Sequence, residues 1–536
     1  MAREQNKNLF KNSSPCSEVK GYLSGKLLPV WLQGVILYNG PSGIFDLKNN
    51  SVNHWRDGLA MLSAFRIEER GKYISLTKKF LRSDAFNEGT DQGKLVRTEF
   101  GTPGMTENVS NTNVSSCSSY RSSSSPSTPS NASDNCNISF YQYGNLLMAT
   151  NEGAFDRIVD LDSLETRDTI DMSSMVNFKT GRPLRDHNGD TYNLTSCYTN
   201  SNNYHFMKIP RPAENSHFSR DSFMKESKII ATIPSRFPNH LAYNHSFGMT
   251  DNYLILCEQP IAYDINKYKS CKTDGKCYKD CLDWMPGELN RFYIVDKVNG
   301  QQIQFNYITD KAYFFLNFVN CYEYGNHIVI DILTYDSPDV MNSMYMNKLR
   351  DSNVEVTLNE SDSRILRFVL PLEAKEQGID LNHGVWNGAT ACKEGEKIKL
   401  TPRFISKETG SELPVVNPNF KFRKYNFTYV VGWFHGLNSS NSYANAITKV
   451  DMQNGETCTW RAGDDCAHPS EAVFVPNPAG ISEDDGVLVS CVSNSRDQNR
   501  GYIVFINARN MQEISRAYFD TPIPFGSHTT FIQKFF

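Results

Sequence analysis

Short apolar segments with strand-like alternation recur along the whole of this 536-residue chain. Tyr253-Leu254-Ile255-Leu256, His327-Ile328-Val329-Ile330-Asp331-Ile332, Ile365-Leu366-Arg367-Phe368-Val369 and Tyr502-Ile503-Val504-Phe505-Ile506 are examples. Runs of β-branched and aromatic residues bounded by polar turns are the signature of strands that fit a pleated, half-buried surface. An all-β fold is therefore expected. Many short strands with no linker between them suit a β-propeller better than a row of stacked sandwiches. No repeat of 40 to 50 residues is visible, so spacing alone does not count the blades.

Three segments depart from that pattern. From Gly104 to Asn135 the chain is mostly Ser, Asn, Thr and Pro, including Ser122-Ser123-Ser124-Ser125-Pro126. Such a composition cannot bury enough apolar area to offset its ordering entropy, which predicts a disordered surface insertion over residues 105–135. Residues 1–20 are expected as an N-terminal tail and residues 21–536 as one domain. Near Pro338 to Leu349 a helix is expected, with Val340, Met341, Met344 and Leu349 sharing a core-facing side.

Charge and hydropathy exclude two classes of function. Lysine plus arginine total 55 against 59 acidic residues, so the basic footprint of a nucleic-acid binder is missing. The most apolar early stretch, Leu27 to Tyr38, is interrupted by Pro29, Gln33 and Gly34 and is too short to span a bilayer. The opening Met1-Ala2-Arg3-Glu4 lacks an apolar signal region, and the thirteen cysteines then read as reduced thiols of a cytoplasmic protein.

Several motifs together resemble the carotenoid cleavage oxygenase family, which contains the animal β-carotene oxygenases and the retinal-pigment-epithelium isomerase. They include Leu28-Pro29-Val30-Trp31, Asn39-Gly40-Pro41, His54-Trp55-Arg56-Asp57-Gly58, Glu99-Phe100-Gly101-Thr102 and Asp134-Asn135-Cys136-Asn137. Farther on come His245-Ser246-Phe247-Gly248, Glu258-Gln259-Pro260, Arg367-Phe368-Val369-Leu370-Pro371 and Glu483-Asp484-Asp485-Gly486. The resemblance implies a seven-bladed β-propeller with a helical and loop dome over one face. It also implies a ferrous ion, Fe2+, on the axis, held by four histidines of which three are oriented by glutamates. The implied reaction is that of a non-haem iron dioxygenase, with dioxygen cleaving a double bond of a carotenoid or apocarotenoid into two carbonyl products.

The implied site is only partly present. His245 and His528 match two ligand motifs, and Glu152, Glu412 and Glu471 match the three orienting carboxylates. Arg182 stands at the third ligand position, and Asn317 at the fourth. His187 does not substitute for Arg182, because five residues of strand displace it by roughly 16 Å. A guanidinium has no lone pair for a metal. It repels a unit positive charge 4 Å away by about 4 kcal/mol at an effective dielectric of 20, and a divalent ion by twice that. It can instead pair with the carboxylates left behind, and Asn317 can donate its amide to a glutamate or, weakly, offer its carbonyl oxygen to a metal. Two functions therefore compete: the dioxygenase, and a carotenoid- or retinoid-binding pseudoenzyme.

The family resemblance also directs attention to Ile261–Met285 as the route of lipid access. Here that segment carries Lys267, Lys269, Lys272, Cys271, Cys277 and Cys281. Three readings apply: a solvated loop, a lipid-headgroup dock giving peripheral membrane contact, and a metal knuckle built from the three cysteines.

Overall fold

The computed structural model describes residues 3–105, 132–199, 201–212, 219–350, 363–384, 386–406, 410–432 and 445–533. The fold is all-β, and its strands form seven antiparallel blades in chain order. Blade 1 is built on Gly34–Ile44, Leu59–Glu68 and Tyr73–Phe80, and blade 2 runs from Ser139–Tyr143 to Thr166–Asp171. Blade 3 runs from Phe178–Lys179 to Lys228–Pro234 and blade 4 from Gly248–Met249 to Asn306–Thr309. Blade 5 runs from Phe314–Tyr324 to Arg403–Phe404, blade 6 from Glu412–Val415 to Thr457–Arg461, and blade 7 from Ala467–Pro469 to Glu513–Tyr518.

Blade packing explains why both faces of a strand are apolar. In His327–Tyr335, Ile328, Ile330 and Ile332 join a core shared with blade 4, while Val329 and Leu333 join a core shared with blade 6. In Gly34–Ile44, Ile36 and Tyr38 face blade 7 while Val35 and Leu37 face blade 2. Successive side chains point to opposite faces of a strand, so each blade seals against two neighbours at once. Each large apolar side chain buried in this way contributes roughly 1.5–3 kcal/mol.

The chain ends close the ring. His528–Gln533 pairs with Gly34–Ile44 as the inner strand of blade 1. Cys16–Gly25 pairs with the outer strands of blades 1 and 7 and joins them in one ten-stranded sheet. Residues 3–20 thus belong to the folded body rather than to a tail. Arg3–Phe10 forms a 3-10 helix, and the buried Phe10 ring meets Phe45 and Phe525 edge-on at 6.4 and 5.7 Å. Two apolar residues in a Lys- and Asn-rich stretch carry too weak a pattern to reveal this.

The 105–135 insertion needs a new boundary. Residues 106–131 lie outside the described residues, whereas 132–135 belong to the folded body. Ala132 bridges to Thr98, and the buried Asp134 accepts the backbone N–H groups of Asp84 and Ala85 at 2.9 Å each. Asp134 also pairs with Arg97 and Arg157. An unpaired carboxylate would be costly in such a place, and the two guanidiniums supply the charge it needs.

A dome of loops and short helices is tied together by backbone hydrogen bonds. The N–H of Trp55 donates to Met344, that of Met346 to Asn53, and those of Tyr278 and Lys279 to Glu99 and Phe100. The helix expected near Pro338–Leu349 is two short helices, Val340–Ser343 and Met346–Arg350, and Val340, Met341, Met344 and Leu349 are all buried.

The Ile261–Met285 segment is built into the fold rather than being a solvated loop. Ile261–Asp264 pairs with His240–Ala242 and with Leu282–Trp284. Lys267 Nζ is committed to Asp283 at 2.6 and 2.8 Å, and Cys271, Cys277 and Cys281 are buried. Among the described residues, the one grouping of three metal-capable side chains is His240, Asp264 and Asp283, and the Lys267 ammonium already lies against both carboxylates. The cysteines form no such group. No described helix is long and apolar enough to cross a membrane.

Candidate functional site

The inner ends of the blades bring together all seven side chains singled out in the sequence. His528 opens His528–Gln533, Glu412 opens Glu412–Val415, and Asn317 lies within Phe314–Tyr324. Arg182 follows Phe178–Lys179, His245 precedes Gly248–Met249, Glu471 follows Ala467–Pro469, and Glu152 follows Leu146–Thr150. His245, Asn317, Glu412 and His528 line one cavity, with Glu152 behind His245 and with Glu471 and Arg182 behind His528. His187 lies elsewhere, its ring on the Lys421 carbonyl at 3.0 Å.

Two scaffold devices hold these positions. The buried Gln259 amide donates to the carbonyls of Tyr243 and Phe315 at 2.7 and 3.2 Å and accepts the N–H of Phe315 at 3.0 Å. One side chain thus fixes the backbone two residues before both His245 and Asn317. On the other side, Gly40 and Gly526 let two inner segments touch, for a Cβ on Gly40 would lie 2.4 Å from the Gly526 Cα. That approach delivers His528 to the axis.

The first histidine pair is extended by Arg56. His245 Nδ1 meets Glu152 Oε1 at 2.6 Å, and the Tyr243 hydroxyl donates to the same oxygen at 2.8 Å. Arg56 donates to Glu152 Oε2 at 2.5 Å and to the Tyr243 hydroxyl at 2.8 Å. Its guanidinium also lies 4.3 Å from the Phe100 ring centroid. Burial raises the Glu152 pKa, but Arg56 and His245 outweigh it and bring the group down to about 2. His245 is lowered from its ordinary value, chiefly by burial. Since an ionised carboxylate only accepts, the proton lies on Nδ1 and the Nε2 lone pair faces the cavity.

Around His528 the order of contacts is reversed. Arg182 Nη1 lies 2.9 Å from His528 Nδ1, whereas Glu471 Oε2 is at 3.2 Å from the same atom. The other arm of Arg182 reaches Glu471 Oε1 at 2.7 Å. Burial again raises the carboxyl, and Arg182 followed by His528 brings Glu471 down to about 2. Burial, then Arg182, lowers His528 to about 4, so its ring is neutral near pH 7. A guanidinium can only donate. Nδ1 of His528 thus faces a donor and an acceptor at once and can satisfy only one of them.

No cation lies against the third carboxylate. Glu412 accepts from the Tyr335 hydroxyl at 2.5 Å, the Asn317 amide at 2.9 Å and the Leu413 N–H at 3.1 Å. Burial raises its pKa, and these neutral donors, with a smaller pull from the Arg182 charge, do not cancel the effect. The site thus has two guanidiniums for two ionised glutamates, and a third carboxyl shifted toward its neutral form.

A ferrous ion does not fit this donor set. Arg182 offers no lone pair, Asn317 offers at most a weak carbonyl oxygen while its amide nitrogen donates to Glu412, and the Arg182 guanidinium lies against Nδ1 of His528. His245 alone keeps a carboxylate on its ring nitrogen without a cation beside it. The guanidinium beside His528 adds repulsion of about 4 kcal/mol per unit charge at 4 Å, and twice that for a divalent ion.

Sequence reasoning missed Arg56 and Gln259, although each stands inside a quoted motif, and Tyr243, two residues before the His245 motif. The signal was a charged or amide side chain within an otherwise apolar segment, a residue type that is buried only when paired. Neighbouring motif residues serve Arg56 in turn. His54 accepts the Arg56 N–H at 3.2 Å, and a Cβ on Gly101 would strike the His54 Cβ at 2.4 Å.

Comparison with known proteins places this architecture. The sequence signature of the retinal pigment epithelial membrane protein family matches residues 12–533. The chain is 31% identical to a chicken (Gallus gallus) "Beta,beta-carotene 15,15'-dioxygenase", over 99% of this chain and 98% of that protein. It is 29% identical to a mitochondrial carotenoid-cleaving dioxygenase of Mustela putorius furo, over 96% and 93% of the two chains. A mutant Synechocystis apocarotenoid oxygenase shares the fold with a TM-score of 0.75 at 18% identity, covering 99% of both chains. A cobalt-substituted form of the Synechocystis protein superposes with a TM-score of 0.73, also at 18% identity and with 99% of both chains covered. Matched over nearly its whole length, the chain belongs to the retinal pigment epithelial membrane protein family of carotenoid oxygenases.

Proposed function

We propose that this family member binds a carotenoid or retinoid without performing iron-dependent cleavage. The observation that carries this reading is Arg182, which meets both Glu471 and His528 Nδ1 where the family pattern calls for a ligand histidine. Its charge takes the place of the metal's, and the glutamates that orient ligands elsewhere become partners of guanidiniums. Apolar ligand binding is supported by the cavities themselves. The axial cavity has a largely apolar wall, and an outer cavity with Phe178, Tyr198, Tyr263 and Tyr278 abuts it through Arg56, Asn137 and Ile138. Dioxygen has no role in this reading.

The test is metal content together with product analysis. After anaerobic reconstitution with ferrous iron, the wild-type chain should hold well under one ion per chain and yield no carbonyl product from a carotenoid. Arg182→His with Asn317→His should raise iron occupancy above that of Asn317→His alone, because only the Arg182 change also removes a positive charge. One iron per wild-type chain with turnover would instead establish the dioxygenase, with ligands other than the four positions considered.

A further inference from the structure

We propose that Cys271 and Cys281 are a dithiol that hydrogen peroxide closes to a disulfide, a redox-modified site in the wall of the outer cavity. The site is independent of what the axial cavity binds. It begins from the way the chain folds between two paired strands. After Ile261–Asp264 come the short helix Ile265–Ser270 and the 3-10 helix Tyr278–Cys281, and the chain returns as Leu282–Trp284, with Leu282 opposite Tyr263. Cys271 directly follows the first helix, and Cys281 directly precedes the returning strand. The Tyr268 and Tyr278 rings stack at 5.0 Å with 20° between their planes, which holds the two helices together. The Lys276 N–H donates to the Cys271 carbonyl at 2.8 Å and fixes the turn between them.

In that frame the three thiols divide into a pair and a single. The Cys271 and Cys281 side chains are hydrogen-bonded to each other. Cys277 turns away and donates its thiol to Asp280 Oδ2 at 3.1 Å. Among the described residues the cysteines belong to no group of three metal-capable side chains, so the facing sulfurs are a dithiol. Cys271 and Cys281 are 2% and 0% exposed, which shields them from bulky reagents. Cys271 nevertheless lines the outer cavity together with Tyr268 and Tyr278, and the cavity gives a small oxidant its path.

The placement also orders the chemistry. Cys271 reacts first, because it alone of the pair reaches the cavity and the Cys281 hydrogen bond favours its thiolate. Its sulfur attacks one peroxide oxygen, the O–O bond breaks, hydroxide leaves, and a sulfenic acid forms. The Cys281 sulfur then attacks the Cys271 sulfur, and the hydroxyl departs with the Cys281 proton as water. Two thiols and one peroxide thus give one disulfide and two waters, with two electrons passing from the sulfurs to the peroxide. The new bond ties the segment carrying Tyr268 and Tyr278 to the base of the returning strand. Closing a loop in this way restricts the local opening of everything inside it.

The test treats the full-length wild-type chain with a small excess of hydrogen peroxide, alkylates the remaining thiols, and maps tryptic peptides by mass spectrometry without reductant. Lys272, Lys276 and Lys279 separate the three cysteines, so each possible pairing gives a different cross-linked peptide. The Cys271–Cys281 cross-link should predominate, and dithiothreitol should restore both thiols. Cys277→Ala should form the same cross-link. Cys281→Ala should leave Cys271 as a sulfenic acid that dimedone traps. Oxidation of the wild type should slow amide exchange over residues 265–281 about tenfold. Thermal melts identify any variant that fails to fold, and the wild-type map stands without the variants. A cross-link to Cys277 in place of the expected one, or both Cys271 and Cys281 recovered as alkylated thiols, overturns the dithiol. Unchanged amide exchange in the cross-linked chain overturns its hold on the cavity wall.

Discussion

The two histidine–glutamate pairs use the same residue types and place their guanidiniums differently. At His245 the guanidinium of Arg56 takes the far oxygen of Glu152, leaving the near oxygen free to meet Nδ1 at 2.6 Å. At His528 the guanidinium of Arg182 approaches Nδ1 itself at 2.9 Å, and the carboxylate contact lengthens to 3.2 Å. A cation behind the carboxylate supports the usual orientation of a ligand histidine, whereas a cation beside the ring competes with the carboxylate for Nδ1. The difference lies in where the charge sits, and both pairs keep their glutamate ionised.

Removing each guanidinium is the most forceful way to break this comparison. Arg182→Met leaves the buried Glu471 with His528, the Thr529 N–H and the more distant Lys421 ammonium, and should cost about 3–5 kcal/mol in denaturant unfolding at pH 7. Arg56→Met leaves Glu152 with the Tyr243 hydroxyl and the His245 Nδ1–H, and should cost less, about 1–3 kcal/mol. Equal losses would show that the two cations do the same work.

The acid limb of the stability curve sharpens the contrast. Glu152 and Glu471 have pKa values lowered to about 2 in the folded chain, so each binds its proton more readily when unfolded. Their stabilisation is fully present above the unfolded value of about 4.3 and is lost as pH falls toward 2, about 3 kcal/mol for each group. Arg182→Met should remove the Glu471 share of that slope and keep the Glu152 share. An unchanged slope between pH 5 and pH 2 would refute the pairing.

Gln259→Leu should have a smaller and one-sided effect. It orphans the Phe315 N–H and the Tyr243 carbonyl, costing about 1–3 kcal/mol. The side-chain NMR signals of His245 should move and those of His528 should stay. Movement of both would mean that the two pairs are mechanically coupled. The smallest expected effect is the position of a single proton. Long-range proton–nitrogen spectra of histidine-labelled wild-type chain should show His245 protonated at Nδ1 and, with the shorter Arg182 contact prevailing over Glu471 at Nδ1, His528 at Nε2. Finding both protonated at Nδ1 would erase the distinction.

Strands and blade cores were readable because alternation is a local property. Ile328, Val329 and Ile330 announce two buried faces without reference to any other segment. The N-terminal helix was not readable, since Phe10 is apolar among polar neighbours and its partners Phe45 and Phe525 are far away in sequence. Asp134 and Asn135 fell inside a stretch read as disordered by composition, yet the Asp134 carboxylate organises Arg97 and Arg157. Averaging over a window hides a single buried charge.

By itself, the sequence determined that this chain is a strand-built member of a recognisable family and that positions 182 and 317 lack the lone pairs of imidazole. Those are properties of residue identity. The tertiary structure alone decided where the guanidiniums go. Arg182 and His528 are 346 residues apart, and their contact exists because the last strand of the chain closes the first blade beside the third-blade segment that carries Arg182. Hydrogen-bond direction depends on such placement to within a few tenths of an ångström, and residue identity does not encode that distance.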